Sequence, residues 1–394
     1  MKRITPFELS TTERDRRWSA VRHEMGRRGL QALIVHGSYA CYRDSNANLQ
    51  YMTNVNDEGY LLFPLEHEPT LYTFENRLDP TWVDDWRGAI PFFGKTIAGR
   101  VDELGLSRGR IGVSGVSGLW GEYGGFPWAT YVSLQKHLPS AEVVDATDLV
   151  ENARRIKSAE EVRCLEIGCQ AAQQVFAAMR ETAGVGVEDT EVRAAIQDAL
   201  FRNDCDQGSM ILYCQGKDIL HGGQSGGLFG PTQHKRLELG DIILMEIDAT
   251  YRGYKAQYNV AFAIGEPDEE WQRLLACAAE AYRAGLEVLR PGIQLKELEE
   301  ALTLPIGRAG FVFANPAFHG LGLSLELPMG TYPRVGWYPD LSERVDTGMV
   351  LEFEPHPVTQ NGKRGVSIGS AILVTEDGCR QIDPLYTPDT PVIG

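Results

Sequence analysis

The sequence lacks a long apolar run, an excess of basic charge and a paired-cysteine motif, and each absence excludes a class of protein. Its densest apolar stretches, such as Ile242–Met245 and Gly348–Leu351, are far shorter than the about 20 residues that cross a bilayer. The net charge is −16, from 38 Lys and Arg against 54 Asp and Glu, which disfavours binding to nucleic acid or to an anionic membrane. We therefore expect no membrane and no nucleic acid among its partners.

The seven cysteines are odd in number and no two of them form a CxxC motif, so nothing indicates a disulfide framework or a zinc knuckle. Reduced, mostly buried thiols are typical of cytoplasmic proteins. Behind the basic residues Lys2 and Arg3 there is no apolar segment of the kind that a signal peptide needs. We expect a cytoplasmic protein.

Two successive patterns divide the chain near residue 150. The first begins with an amphipathic helix over Thr11–Leu30 and has a second helix at Ala129–His137. Its short apolar segments predict strands at Ala32–His36, Asn48–Met52, Tyr60–Leu65, Thr70–Thr73, Arg110–Val113 and Val143–Asp145. This alternation predicts a smaller α/β domain over residues 1–150.

The second pattern, residues 151–394, begins with helices and ends in strands. Ser158 and Glu161 have the spacing of a capping box, which predicts that a long helix covers Ala159–Thr182. Strands are predicted at Met210–Cys214, Asp241–Ala249, Tyr258–Ile264, Phe318–Leu327, Met349–Glu354 and Gly365–Thr375. The order predicts an α+β domain in which helices cover one face of a sheet.

Three of these strands carry a charged or titratable residue inside an apolar run: Glu246, His319 and Glu354. Side chains alternate along a strand, so Glu352 shares a face with Glu354, and Asp248 shares one with Glu246. An ionised group on a buried face is costly unless it is paired or functional. The alternative is a half-exposed antiparallel sheet whose wet face carries these residues. The sequence alone does not place the strands side by side.

The order of several short motifs resembles the aminopeptidase P / prolidase / creatinase family. Between about residues 150 and 380 these motifs are Arg155–Ser158, Gly240-Asp241, Gly253-Tyr254, His319–Leu323, Gly348–Leu351 with Glu354-Pro355, and Leu373–Gly378; a weaker one is Asn48–Thr53. The resemblance implies a "pita-bread" C-terminal domain, a curved antiparallel sheet covered by helices, after a smaller α/β N-terminal domain. It also implies a homodimer.

Peptidases of this family hold two metal ions on Asp, Asp, His, Glu and Glu. The resemblance puts these ligands at Glu246, Gln257, His319, Glu354 and Gly369. A neutral Gln257 cannot bridge two cations as a carboxylate does, and Gly369 offers no ligand. We therefore expect no cofactor; the alternative is one divalent ion such as Mn, Zn or Fe on Glu246, His319 and Glu354.

The main functional hypothesis is therefore a creatinase-like, metal-independent hydrolase of an amide or amidine C–N bond in a small polar nitrogenous substrate. Creatinase works without metal on this fold, and ectoine hydrolase resembles this chain in having Glu at the position of Glu246. The expected catalytic residues are His221, Glu246, His319 and Glu354, with one histidine as general acid/base. The alternatives are an Xaa-Pro dipeptidase or aminopeptidase with a reduced single-metal site, and a non-catalytic binding protein.

Three further residues are expected to contact the substrate. Gln257 occupies a ligand position, and Glu326 stands where the family has a second functional histidine, seven residues after the ligand histidine. Arg43 lies in a loop near where creatinase places carboxylate-binding residues. His221 matches the family's substrate-contacting histidine only if a loop is inserted after it, and His234 is the alternative that lies nearer in sequence.

Overall fold

The computed structural model describes residues 7–38, 46–73, 81–88, 92–117, 125–205, 210–213, 218 and 235–393. Their contacts form two compact groups. The N-terminal unit consists of Phe7–Arg155 with Leu323–Leu327, and the C-terminal unit consists of Ile156–Gly322 with Pro328–Gly394. The predicted domain boundary between residues 150 and 151 remains a proposal, because a grouping by contacts does not test whether each part folds alone.

The N-terminal unit is a mixed sheet with helices, as the alternating pattern predicts. Its helices are α1 (Thr11–Arg27), α2 (Ala47–Thr53), α3 (Phe93–Glu103), α4 (Trp128–His137) and α5 (Thr147–Arg154). Its strands are β1 (Ala32–Gly37), β2 (Gly59–Pro64), β3 (Thr70–Thr73), β4 (Asp85–Gly88), β5 (Arg110–Ser114) and β6 (Glu142–Asp145). They pair in the order β4-β3-β2-β1-β5-β6.

The predicted strand at Asn48–Met52 is wrong, because this segment is helix α2. Leu49 and Tyr51 alternate with polar residues as they would in a strand. However, Leu, Gln and Met are all good helix formers, and α2 buries every one of its residues. A fully buried short helix shows no polar face, so its sequence does not carry the helical period.

The C-terminal unit begins with two helices and then becomes strand-rich. Its helices are α6 (Ala159–Thr182), α7 (Asp189–Arg202), α8 (Glu269–Val288) and α9 (Leu295–Arg308), with a short 3-10 helix at Pro333–Val335. Its strands are β7 (Met210–Tyr213), β8 (Ile242–Tyr251), β9 (Tyr254–Ile264), β10 (Val312–Phe313), β11 (Phe318–Leu321), β13 (Val350–Phe353), β14 (Pro357–Val358), β15 (Gly369–Val374), β16 (Cys379–Gln381) and β17 (Val392–Ile393); the first three residues of β12 (Leu325–Met329) are grouped with the N-terminal unit and its last two with this one. Among the described helices, none combines the length and apolarity needed to cross a membrane.

In this unit one local prediction, the capping box, is confirmed, and another, a single long strand, is wrong. The capping box is present: Ser158 Oγ accepts from the Glu161 amide at 3.2 Å, and Glu161 Oε2 accepts from the Ser158 amide at 3.0 Å. The predicted strand Phe318–Leu327 is instead divided into β11 and β12. Gly322 and its neighbours form a bend inside this segment, which glycine permits.

The main sheet of the C-terminal unit includes six strands in the order β11-β13-β15-β9-β8-β7, each antiparallel to its neighbours. Directly opposite residues of antiparallel strands face the same way. The observed pairs His319↔Glu352, Glu352↔Ala371, Gly369↔Asn259, Asn259↔Glu246 and Gln257↔Asp248 therefore define one face. We call this the site face.

The opposite face of the same sheet is covered by helices. Phe176 of α6 meets Tyr258 edge-on at 5.1 Å, and the hydroxyl of Tyr282 on α8 lies 2.8 Å from Ser370 Oγ. At Gly168 in α6 an added Cβ would lie 2.5 Å from the carbonyl oxygen of Ala249, so only glycine lets the helix approach β8 this closely. The helices leave the charged residues on the other side of the sheet.

Candidate active site

Four carboxyl groups come together on the site face. Glu246 and Asp248 lie two residues apart on β8, Glu352 lies on β13, and Glu354 follows that strand. The side chain of Glu354 is 14% exposed, and the other three residues are buried. The alternation of side chains along each strand, together with the pairing of the strands, thus brings these acidic groups onto one surface.

His319 on β11 presents a defined nitrogen to this group. Its Nδ1 lies 2.8 Å from the carbonyl oxygen of Gly320, which can only accept, so Nδ1 carries the proton. Nε2 lies 3.8 Å from Glu354 Oε1. In a neutral ring this leaves the lone pair on the nitrogen that faces Glu354, which is the arrangement that metal-binding histidines adopt.

Two amide side chains hold two of the carboxylates. Gln257 Nε2 donates to Glu246 Oε1 at 3.4 Å, and Asn259 Nδ2 donates to Glu354 Oε2 at 3.3 Å. The remaining amide oxygens, Gln257 Oε1 and Asn259 Oδ1, are buried and have no hydrogen-bond partner within the described ranges. Buried acceptors of this kind call for a donor or a cation.

Glu352 is the most deeply buried of the four carboxyl groups. Burial raises its pKa well above the usual range, and the negative charges of Glu354, Asp248 and Glu246 raise it further. The Asn259 amide opposes this pKa shift, but neither Glu352 oxygen meets hydrogen-bond geometry with any residue that the structure describes. The local field therefore favours a positive charge or a proton.

Two other polar side chains border the cluster. Lys255 Nζ lies 3.7 Å from Asp248 Oδ2, so Asp248 has a partial counter-charge. Burial raises the pKa of the Tyr332 phenol; Arg334 opposes this shift, and the charges of Glu354 and Glu246 reinforce it. The phenol of Tyr332 is therefore within the electrostatic field of the site face.

The structure brings together four of the predicted site residues, namely Glu246, Gln257, His319 and Glu354. Glu326 belongs to the N-terminal unit, where its Oε1 lies 2.9 Å from Arg154 Nη2. His221, its alternative His234, and Arg43 lie outside the described residues. The roles assigned to all of these residues remain predictions.

Three residues of the site face had no role predicted from the sequence: Asp248, Asn259 and Glu352. The signal was present, because Asp248 and Glu352 each lie two residues from an expected ligand position and therefore on the same face. What the sequence did not supply was the pairing of β8, β9, β15 and β13, which puts these residues on one surface.

The side chains of the site face include several possible ligands for a metal ion. Within the described ranges, no three Asp, Glu, His or Cys side chains stand close enough together to surround an ion. The donors nevertheless fit one chemically, because carboxylates and a tautomerically fixed imidazole are ligands for divalent metals. Oxygens of Glu352, Gln257 and Asn259 that have no hydrogen-bond partner in the described part of the chain also favour a cation. A cation would also relieve the repulsion among four like-charged groups.

Each of the two parts of the chain matches a known protein family. Residues 163–376 match Metallopeptidase family M24, and residues 17–156 match the Creatinase/Prolidase N-terminal domain. An Xaa-Pro dipeptidase of Pyrococcus horikoshii is 27% identical over 259 residues, which cover 65% of this chain and 70% of that protein. An uncharacterized peptidase of Bacillus subtilis is 26% identical over 369 residues, covering 92% and 96% of the two chains.

Solved structures confirm the predicted fold. The prolidase from Pyrococcus horikoshii OT3 superposes with a TM-score of 0.75 at 20% identity and covers 94% of this chain and 99% of its own. An Xaa-Pro dipeptidase from Bacillus anthracis gives a TM-score of 0.78 at 20% identity, with coverage of 96% and 99%. The fold is the pita-bread fold preceded by an α/β N-terminal domain.

The expectation that the site needs no cofactor is wrong. The match to a metallopeptidase family extends over residues 163–376, and the relatives named above include an Xaa-Pro dipeptidase. The expectation counted donors only at the five positions implied by resemblance. It left out Asp248 and Glu352, which add carboxyl groups to the same face. The metal-dependent alternative is therefore favoured over the metal-independent hypothesis.

Proposed function

The chain belongs to metallopeptidase family M24, and on that premise we propose that it is a metal-dependent hydrolase of short peptides with a preference for Xaa-Pro bonds. Family membership and the relatives support hydrolysis of a C–N bond. The observation that carries the proposal is the His319 ring, whose Nδ1 is tied to the Gly320 carbonyl while Nε2 faces Glu354. Such a ring is prepared to bind a metal ion.

We infer that Glu246, His319 and Glu354 would hold a single divalent ion, such as Mn, Zn or Fe. When bound, such an ion polarises the carbonyl of the scissile peptide bond and makes water a stronger nucleophile. The neutral side chain of Gln257 adds no charge to this set. It orients Glu246 through the 3.4 Å hydrogen bond from its amide, as Asn259 orients Glu354.

Burial of the site face supports the same chemistry. Glu246, Gln257 and His319 are each less than 10% exposed, so water is largely excluded from their surroundings. In a region of low dielectric constant, the interaction of fixed charges with a developing charge on the substrate is stronger than in water. His221 is proposed as the acid/base that protonates the leaving amine, with Arg43 as a substrate contact.

The proposed function is tested by hydrolysis of an Xaa-Pro dipeptide series and a matched Xaa-Ala series before and after chelation. We expect chelation to abolish turnover and Mn²⁺ to restore it, with about one ion per chain by elemental analysis. We also expect faster hydrolysis of the prolyl series. Full turnover after exhaustive chelation would show that the enzyme does not use a metal.

We also propose a homodimer, as the resemblance implies, and a cytoplasmic location, which the cysteine pattern favours. The mass of one chain is 43.7 kDa. Light scattering should therefore give twice this value, and a strictly monomeric mass for the active enzyme would exclude the dimer.

A further inference from the structure

Position 369 has no room for the glutamate that the resemblance would place there. Gly369 lies on the site face, opposite Asn259. A Cβ added at Gly369 would overlap the carbonyl oxygen of Phe353 and lie 2.6 Å from its carbonyl carbon. The end of β13 therefore occupies the space that a side chain at 369 needs, and this backbone is not free to move aside as a flexible side chain would be.

The neighbouring strand supplies a carboxyl group to the same surface. Glu352 on β13 is directly opposite Ala371 on β15, two residues from Gly369, and directly opposite His319 on β11. Opposite Cβ atoms of an antiparallel pair lie about 4.5–5.5 Å apart, and diagonal positions about 7–8 Å apart. Glu352 thus stands next to both His319 and the position where the side chain is missing.

The Glu352 carboxyl group forms no ion pair with any residue that the structure describes. Its exposed fraction is 0%, and neither oxygen has a hydrogen-bond partner within the described ranges. A buried carboxylate is retained only where a cation or several hydrogen bonds compensate for the loss of water. A divalent cation on the site face would provide that compensation.

We propose that Glu352 is a metal-binding residue of this chain, which supplies from β13 the carboxylate that position 369 cannot supply from β15. The proposal rests on the proposed metal-dependent function and adds a ligand outside the five positions implied by resemblance. Gly369 and Glu352 are then a matched pair: the glycine makes room for the end of β13, and that strand carries the replacement carboxylate.

The test is isothermal titration of the chelated full chain with MnCl₂. Glu352→Gln keeps the size of the side chain and removes its charge, and we expect it to weaken Mn²⁺ binding by at least about tenfold. The rise in Tm on adding Mn²⁺ should shrink in parallel. The matched control is Glu151→Gln on α5, a partly buried glutamate whose pKa burial also raises, and it should bind Mn²⁺ like the wild type.

The outcomes separate this inference from the proposed function. Unchanged Mn²⁺ affinity in a folded Glu352→Gln variant overturns the inference and leaves the proposed function standing, even if turnover falls. A wild-type chain that binds no Mn²⁺ overturns both. If Glu352→Gln does not fold, Glu352→Asp is titrated instead; it keeps the charge but draws the carboxylate back, and binding as tight as that of the wild type would again overturn the inference.

Discussion

The two units compensate their buried charges in opposite ways. In the N-terminal unit, Arg154 lies 2.9 Å from Glu326 and also donates to Asn48 and Ser324. On the site face of the C-terminal unit, four carboxyl groups lie together; Lys255 is 3.7 Å from Asp248, and His319 is 3.8 Å from Glu354 and carries a charge only when protonated. Matched charge is typical of structure, whereas an excess of one sign in a buried place is typical of a site that binds the opposite sign.

A second pair in the N-terminal unit follows the matched arrangement. Arg17 is fully buried, lies 2.7 Å from Glu13 Oε1 and donates to the Tyr51 carbonyl oxygen at 3.0 Å. Burial alone would raise the pKa of Glu13, but the hydrogen bonds and charges of Arg16 and Arg17 outweigh it and hold the pKa below its usual value. Its charge is therefore kept by local partners rather than by a ligand.

The largest expected effect is a loss of stability in the N-terminal unit, where the buried charges are matched. Arg154→Met removes the guanidinium that lies 2.9 Å from the buried Glu326 carboxylate, and breaking a buried ion pair in this way should cost about 3–5 kcal/mol of unfolding free energy. The measurement is urea denaturation of the full chain. In the double variant Arg154→Met, Glu326→Leu, both charges are removed and most of the loss should return. A double variant as unstable as the single one would mean that the pair is not the source of the effect.

The next largest effect is a loss of activity after substitution on the site face, where the buried charges are not matched. His319→Ala should lower kcat/KM by at least about 100-fold, the upper end of what loss of an outer-sphere partner of a metal costs. The control is His137→Ala, because His137 also has Nδ1 at 2.8 Å from a carbonyl oxygen but lies exposed on α4. His137→Ala should retain full activity.

The same variants distinguish a functional histidine from a packing one. If His319→Ala unfolds several degrees lower while its folded fraction keeps wild-type turnover, His319 serves the core and the site lies elsewhere. If Tm changes little and turnover is lost, the unmatched charges of the site face belong to the chemistry.

The sequence predicted those features that depend on neighbours along the chain. Helix α6 has the predicted bounds because Ser158 and Glu161 cap it and its apolar residues recur with the helical period. Glu246 and Asp248 do share a face of β8, as predicted, since the alternation of side chains along one strand is a local property. The buried helix α2 was mistaken for a strand because nothing in seven buried residues marks a solvent-facing side.

Features that depend on strand pairing were beyond the sequence. Glu352 could be placed on the face of Glu354, but only the register His319↔Glu352↔Ala371 puts it between the histidine and Gly369. Likewise, Gly369 signalled a lost ligand, whereas the overlap with the Phe353 carbonyl explains why no side chain fits there. Counting ligands along the chain therefore underestimated the carboxyl groups available to a cation.

A third kind of buried titratable group sharpens the comparison, because it has no partner and needs none. His36 on β1 is buried against Tyr60 at 4.6 Å and Phe126 at 5.4 Å, and neither of its ring nitrogens has a hydrogen-bond partner within the described ranges. Burial lowers the pKa of His36 to about 4. The ring therefore stays neutral at pH 7 and carries no charge to compensate.

The smallest predicted effect follows from the pKa of His36. Its pKa of about 4 in the folded chain lies below the value of about 6.5 expected when unfolded, so between these values the unfolded chain binds more protons. Stability should then fall by about 2 kcal/mol between pH 6.5 and 4.5 through this residue alone. His36→Phe keeps an aromatic ring beside Tyr60 and should lack this component, whereas the exposed His23→Gln should keep it. The measurement is the difference in unfolding free energy between each variant and the wild type across that range. If the difference for His36→Phe does not change with pH, His36 is protonated as readily in the folded chain as in the unfolded chain, and the prediction is wrong.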